Sequence, residues 1–482
     1  MSQKKKINRQ AVVIIHGIGE QRPMTTLRGF VSSLLNFESN KFSDDHDFDK
    51  NERVFWTKPD KINNSYELRK ITAKEVDVRP TTHFFEYHWA GNMRDTKWKH
   101  VSPWILSLMF SNPLRFKNWR IHIIWLLMWL FSVSWCAYAG LLFYEFCCVG
   151  KNPFKEDGLI RALILGIPLF LYLSKNIFLG FVGDAARYFR VSVDNIAQRE
   201  AIRKNGVKLI RALHKTEDYD RIILVGHSLG SVIAYDILSY LWIEFYKSLN
   251  LQKEDKKDKD YDWGHSFDML KHDDETLREI DNQAVRAEEG NKVDEDYFQE
   301  NQHKLWHKIQ DKNKSWLISD LITMGSPLTH ANILMADDEA DFKMRTEERE
   351  YPKCPPTLDE KSESILFSYG KDEQHKYYLH HATPFCCTRW TNIYYPGDIV
   401  GGGLRKNFGP GIKDIEVSYA SSMLNRIRSF LSPLTHVSYW KNNSDPETIA
   451  KSKEYLSIKT LYEALEIHEE EDKNKKSNKE KS

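Results

Sequence analysis

Arg221-Ile222-Ile223-Leu224-Val225-Gly226-His227-Ser228-Leu229-Gly230-Ser231-Val232-Ile233-Ala234-Tyr235 runs from an apolar, β-branched stretch through two glycines into helical spacing. Arg221 to Val225 reads as a buried strand, and Ser231 to Tyr246 reads as a helix with an apolar stripe. Strand, turn and helix follow one another without a gap. A sharp turn of this kind forces its central serine into a strained backbone and lifts the hydroxyl clear of the sheet. The flanking glycines are required because a Cβ there would collide with neighbouring chain. The helix start also brings backbone N–H groups near any negative charge that develops at the serine. Ser228 is the candidate nucleophile.

A serine hydroxyl needs a base, and the base needs an orienting acid. On such an elbow the expected chain order is serine, acid, histidine. Asn392 to Tyr395 reads as a strand, and Pro396-Gly397-Asp398 follows it, so Asp398 can reach the carboxyl edge of the sheet. His436, in Leu434-Thr435-His436-Val437-Ser438-Tyr439-Trp440, is the only histidine between Asp398 and the polar tail. Turn formation by Asp398 and a helix-cap role for His436 are the plainer readings set against these. An acyl-transfer site must also hold an oxyanion. One donor is expected from the N–H of Leu229. The other is expected from the loop after the first strand, His16-Gly17-Ile18-Gly19, with Ile18 preferred and Gly19 the alternative. His16, Gly17, Gly19 and His227 are candidates for contact with substrate.

Ala11 to Ile15, His83 to Trp89, Leu321 to Met324 and Ile415 to Tyr419 read as further strands, and Val193 to His214 as a helix facing the core through Ile196, Ile202, Val207, Ile210 and Leu213. The class is α/β. Two apolar stretches interrupt it. Ile121 to Tyr144 carries no Asp, Glu, Lys or Arg, and about 20 apolar residues suffice to span a bilayer. Leu159 to Val182 is the expected return pass, with Arg161 near one end and Lys175 inside. Arg115, Lys117 and Arg120 before the hairpin, and Arg187 and Arg190 after it, place both ends on the cytosolic side. Val101 to Phe110 is too short to span and suits the interface. Two buried core helices are the alternative reading.

The chain has 482 residues, 41% hydrophobic and 13% aromatic, with a formal net charge of +1, so a large core is available and broad capture of nucleic acid is not expected. Its six cysteines include two adjacent pairs and no Cys-x-x-Cys, which argues for a reducing compartment rather than a disulfide framework. Met1 to Gln10 is basic and polar, without the apolar centre of a secretory signal. His380-His381 and Cys386-Cys387 match no metal-ligand spacing, and no cofactor is expected.

His16-Gly17-Ile18-Gly19-Glu20-Gln21 together with Gly226-His227-Ser228-Leu229-Gly230 resembles lipase and esterase members of the α/β-hydrolase superfamily. More narrowly, the chain resembles a group of bacterial membrane-associated α/β hydrolases. Arg22-Pro23-Met24, Gly183-Asp184-Ala185-Ala186-Arg187-Tyr188 and Arg389-Trp390-Thr391-Asn392 fit that group, whereas Gly401-Gly402-Gly403 departs from many lipases. The resemblance covers most of the chain from Ala11 to Trp440, apart from the charged insertion and tail, and implies an α/β-hydrolase fold: a mostly parallel central sheet with helices on both faces, here with an inserted transmembrane helical hairpin and a charged helical insertion. The expected parts are 1–100, 184–252 and 312–445 for the hydrolase domain, 101–183 for the membrane insertion, 253–311 for a solvated charged insertion or a lid, and 446–482 for a helical, then disordered, tail. The resemblance also implies a serine esterase at the bacterial inner membrane; the basic flanks turn it to the cytoplasm, and anchoring at the lipid surface points to lipid or acyl esters as substrates. An acyltransferase using the same three residues, and a scaffold or sensor without turnover, are the alternatives.

Overall fold

The computed structural model describes residues 7–18, 22–42, 55–62, 67–73, 79–93, 193–216, 218–250, 274–313, 316–360, 362–369, 376–398, 400–417 and 453–467, residues 436, 439 and 440, and scattered positions between 110 and 189. Its strands are β1 (Arg9–Ile15), β2 (Phe55–Pro59), β3 (Arg69–Ala73), β4 (Thr81–Tyr87), β5 (Arg221–His227), β6 (Ile318–Met324), β7 (Leu366–Tyr369), β8 (Lys376–Leu379), β9 (Arg389–Tyr394) and β10 (Lys413–Glu416). The longer helices are α1 (Thr25–Phe42), α2 (Val193–Lys215), α3 (Leu229–Asn250), α4 (Glu275–Glu288), α5 (Glu295–Asn313), α6 (Glu339–Glu347) and α7 (Lys453–Leu465). The fold is α/β.

Eight strands form one mixed sheet in the order β10-β9-β6-β5-β1-β4-β3-β2. From β10 to β4 all neighbours are parallel, and β3 and β2 add an antiparallel edge. Parallel strands are covered on both faces, which explains their continuous apolar runs. The period of two sorts each strand between the faces. Val12, Ile14, Ile223, Val225, Ile322, Met324 and Ile393 pack with α1 and α7 in one cluster. On the opposite side Trp390 stacks on Phe385 and meets Tyr235 of α3. The register sets Ile15 beside Gly226, His227 beside Met324, and Met324 beside Ile393. The loops that leave β1, β5, β6 and β9 therefore emerge along one edge, the usual place for a site in a parallel sheet.

Three readings change on this structure. The charged stretch up to 311 is not a solvated insertion where it is described. α4 and α5 bury Leu277, Ile280, Phe298, Leu305, Trp306 and Ile309. Gln302 Nε2 donates to the carbonyls of Phe385 (2.6 Å) and Thr388 (3.0 Å). Charges on one face of each helix hid the apolar spacing on the other. Residues 253–273 lie outside the described residues. Secondly, the C-terminal stretch contributes α7, whose Leu461, Tyr462 and Leu465 are buried in the core. Thirdly, Ile196, expected on the core face of α2, is 46% exposed.

The chain divides into two compact units: Met1–Gly17 with Gln21–Asn92 and Glu200–Ser482, and Ile18–Glu20 with Met93–Arg199. In the second unit Leu126, Val133 and Tyr144 lie on helical backbone and are 52–58% exposed. Phe110, 71% exposed, meets the ring of Trp129 edge-on. Among the described residues no helix is long and apolar enough to cross a membrane. The expected spans Ile121 to Tyr144 and Leu159 to Val182, and the tail from His468, lie mostly or wholly outside the described residues.

Candidate active site

β5 continues through Gly226 and His227, and α3 begins at Leu229, so Ser228 alone makes the turn. Its φ of 53° lies in the left-handed region, where a side chain is strained. The surroundings enforce this conformation. A Cβ on Gly226 would lie 2.4 Å from Ser231 Cα, and one on Gly230 would lie 2.2 Å from the Ile15 carbonyl oxygen. Ser228 N–H donates to the Met324 carbonyl at 2.9 Å. Ser231 Oγ donates to the Ser228 carbonyl at 2.6 Å and meets Ser326 Oγ at 2.6 Å.

The three residues chosen from chain order come together. His436 Nε2 lies 2.8 Å from Ser228 Oγ, and His436 Nδ1 lies 2.8 Å from Asp398 Oδ2 and 3.0 Å from Oδ1. They are 208 and 38 residues apart in the chain. Asp398 is buried and also accepts from Val400 N–H at 2.9 Å and from the Tyr439 hydroxyl at 2.9 Å. Burial alone would push its carboxyl up. The hydrogen bond and charge of His436, aided by the N–H groups of Gly401 and Val400, outweigh that and bring it down to about 2. Asp398 is therefore a charged acceptor at neutral pH, and Nδ1 carries the proton. Nε2 is left to accept from the serine.

The Gly-Gly-Gly departure has a steric reason here. A Cβ on Gly401 would lie 2.4 Å from Gly325 Cα and 2.9 Å from Asp398 Oδ2. Gly325, just past β6, has φ +54°, and its Cβ would lie 2.9 Å from the same oxygen. Two bare backbones are thus what lets the acid loop close on the carboxylate.

The loop after β1 approaches the nucleophile as expected. A Cβ on Gly17 would lie 2.9 Å from Ser228 Cβ and 3.2 Å from His227 Nδ1. His16 is buried and stacks on Trp89, and its Nδ1 lies 2.8 Å from the Gly17 carbonyl oxygen, to which it donates. Burial holds its imidazole down to about 3, so it stays neutral. Leu229 is the first residue of α3, where N–H groups lack intrahelical acceptors. Ile18 belongs to the second unit, and Gly19 lies outside the described residues. His227 Nε2–H donates to the His436 carbonyl at 2.9 Å, and its ring meets that of Trp440 edge-on. Burial, reinforced by His436, holds the His227 imidazole down to about 3.

The β1 loop re-enters helix α1 through Met24, whose φ is 70°. Its N–H donates to Glu86 Oε2 on β4 at 2.6 Å. Burial pushes the Glu86 carboxyl up to about 7. A raised carboxyl favours the fold while protonated and loses that advantage as pH rises from the ordinary value to the folded one. Glu86→Gln keeps an acceptor for Met24 without the charge. It is expected to be more stable than wild type by about 2–3 kcal/mol at pH 8 and nearly equal to it at pH 5. Urea unfolding at the two pH values checks this, and an equal difference at both would refute it.

His380 commits both ring nitrogens to backbone, Nδ1 accepting from Ala382 N–H at 3.1 Å and Nε2 meeting the Thr357 carbonyl at 3.1 Å. Among the described residues no three His, Cys, Asp or Glu side chains are grouped to hold a metal ion. Tyr439, Gly325 and Ser326 were not singled out from the sequence. Tyr439 had a signal, since it stands three residues after His436 in the segment already under suspicion. Compared with known protein families, curated proteins and solved structures, the chain matches none.

Proposed function

We propose that this protein is a serine hydrolase of the α/β-hydrolase fold, held at a membrane, that cleaves carboxylic esters of lipid or acylated substrates. The observation that carries the reading is the relay of 2.8 Å contacts from Ser228 Oγ through His436 to Asp398, set on a strained strand-to-helix turn. Ser228 Oγ attacks the acyl carbon while His436 Nε2 takes its proton. Asp398 stabilises the imidazolium so formed. The Leu229 N–H, at the start of α3, holds the oxyanion. His436 returns the proton to the departing alcohol oxygen, leaving the acyl group on Ser228. A water then repeats the attack and releases the acid. The residues present complete this cycle without a cofactor or metal.

The membrane part of the proposal draws on the uncharged stretch from Ile121 to Tyr144 and on the exposure of Leu126, Val133 and Tyr144 within it. Apolar side chains this exposed suit a lipid environment. Basic flanks put the catalytic unit on the cytoplasmic side of an inner membrane. Anchoring keeps the site at the lipid surface, which favours lipid or acyl-ester substrates over nucleic acid or small polar ones.

A fluorophosphonate reacts only with an activated serine. Full-length wild type in detergent is expected to label, and Ser228→Ala and His436→Ala are expected not to. No labelling of folded wild type would sink the hydrolase reading and favour a scaffold. Labelled protein is also expected to stay in carbonate-washed membranes, and its release would remove the anchoring part alone.

A further inference from the structure

Asp398 is held from one more direction than a serine–histidine–acid relay requires. The Tyr439 hydroxyl donates to Asp398 Oδ2 at 2.9 Å, the same oxygen that lies 2.8 Å from His436 Nδ1. That hydroxyl is itself fixed, accepting from the Tyr395 N–H at 3.2 Å. The ring is 1% exposed and sits 4.8 Å from the ring of Tyr395 and 5.5 Å from that of His227. Space for it exists because residue 325 is glycine. A Cβ there would lie 2.8 Å from Tyr439 Cε2. Burial, with the Asp398 charge beside it, pushes the Tyr439 phenol well above its ordinary value, so it remains a donor throughout the working range.

We propose, resting on the hydrolase reading above, that Tyr439 is a positioning residue that sets the pH at which Ser228 becomes reactive. The physical reason is competition for one oxygen. A hydroxyl that donates to Oδ2 withdraws part of the negative charge that Asp398 offers to the imidazolium of His436. Without that donor the carboxylate stabilises the imidazolium more strongly. The protonated, unreactive state of the site then persists to higher pH. The other titratable groups facing His436 do not compete for this role. His227, stacked on it at 5.1 Å, is held neutral by burial, as is His16 beyond it. Among the described residues Asp398 is the only charged group in hydrogen-bond contact with the His436 ring.

The experiment is the rate of fluorophosphonate labelling against pH for full-length wild type and Tyr439→Phe. The phenylalanine keeps the ring and loses only the hydroxyl. The acid limb is expected to move up by about one pH unit, so labelling on the acid side falls about tenfold while the alkaline plateau stays within about twofold of wild type. Site-specific replacement of Tyr439 by 3-fluorotyrosine, a stronger donor, is expected to move the limb the other way. This second variant keeps the hydrogen bond, and it carries the test if the phenylalanine variant does not fold. A uniform loss at every pH, or limbs that coincide for wild type and both variants, would overturn the inference and leave the hydrolase reading intact. Absence of labelling in wild type would overturn both.

Discussion

Asp398→Asn will slow fluorophosphonate labelling and ester turnover by about a thousand- to ten-thousand-fold at neutral pH, although the variant differs from wild type by one proton-bearing group. The size follows from which way the amide must face. Asp398 Oδ1 accepts from the Val400 N–H at 2.9 Å, and a backbone donor cannot be turned round. The carbonyl oxygen of the new amide therefore takes the Oδ1 position. Its NH2 group takes the place of Oδ2, beside His436 Nδ1 and the Tyr439 hydroxyl. An NH2 group only donates, so the shorter 2.8 Å contact favours Nδ1 as acceptor and the ring proton on Nε2, over the 3.0 Å donation from Nδ1 to the retained oxygen. Nε2 then faces Ser228 Oγ as a donor, and the serine has lost its base. Raising the pH does not recover activity, because the fault is the tautomer rather than the charge. Labelling rates with circular dichroism as a folding control decide the matter. A rate within threefold of wild type would mean that Asp398 is a packing residue.

The candidate site was legible because its signals are local or forced. Gly226 and Gly230 bracket Ser228 between an apolar run and a helical one, and a Cβ on either glycine would collide with backbone. His436 was identified by elimination and Asp398 by its place after a strand. Tyr439 was not chosen, because a tyrosine beside a tryptophan in a short apolar motif reads as core. Its role depends on Gly325 and Asp398, which are distant in the chain.

The sheet was legible in its interior and obscure at its edges. β1, β5 and β6 are buried on both faces and read as continuous apolar runs. β2, Phe55–Pro59, is largely exposed and carries Lys58 and Pro59, so neither alternation nor an apolar run marks it. β3 pairs with it and is equally short. α5 failed for another reason. Glutamines occupy three of its buried positions, Gln299, Gln302 and Gln310, where they donate to the carbonyls of Trp390, of Phe385 and Thr388, and of Trp316. Polar residues that satisfy buried carbonyls look like surface until the partner is known.

The same strands that deliver the site at one end are tied together at the other, and there the largest loss of stability is expected. Asp320→Ala will cost about 3–5 kcal/mol. Asp320, near the start of β6, receives Arg221 Nη2 from β5 at 2.6 Å and Arg389 Nε from β9 at 2.7 Å. The side chains of Arg221 and Arg389 are 3% and 8% exposed, so removing the carboxylate strands two guanidinium groups away from water. Breaking one side of a buried pair is costly for that reason, whatever the net worth of the intact pair. Arg221 also donates to the carbonyls of Leu465 (3.2 Å) and Glu466 (2.7 Å), and Arg389 Nη1 pairs with Glu466 at 2.7 Å. The cluster thereby fastens the end of α7 under the sheet. Burial alone would raise the Asp320 carboxyl. Arg389 and Arg221 outweigh it and hold the group below the usual carboxylate range. Its contribution is therefore complete at neutral pH and is lost as pH falls from the ordinary carboxylate range through the depressed folded-state one. Urea unfolding of wild type and Asp320→Ala should differ in full at pH 7 and converge in acid. A difference below about 1 kcal/mol at pH 7 would show that both arginines find water or other acceptors without cost.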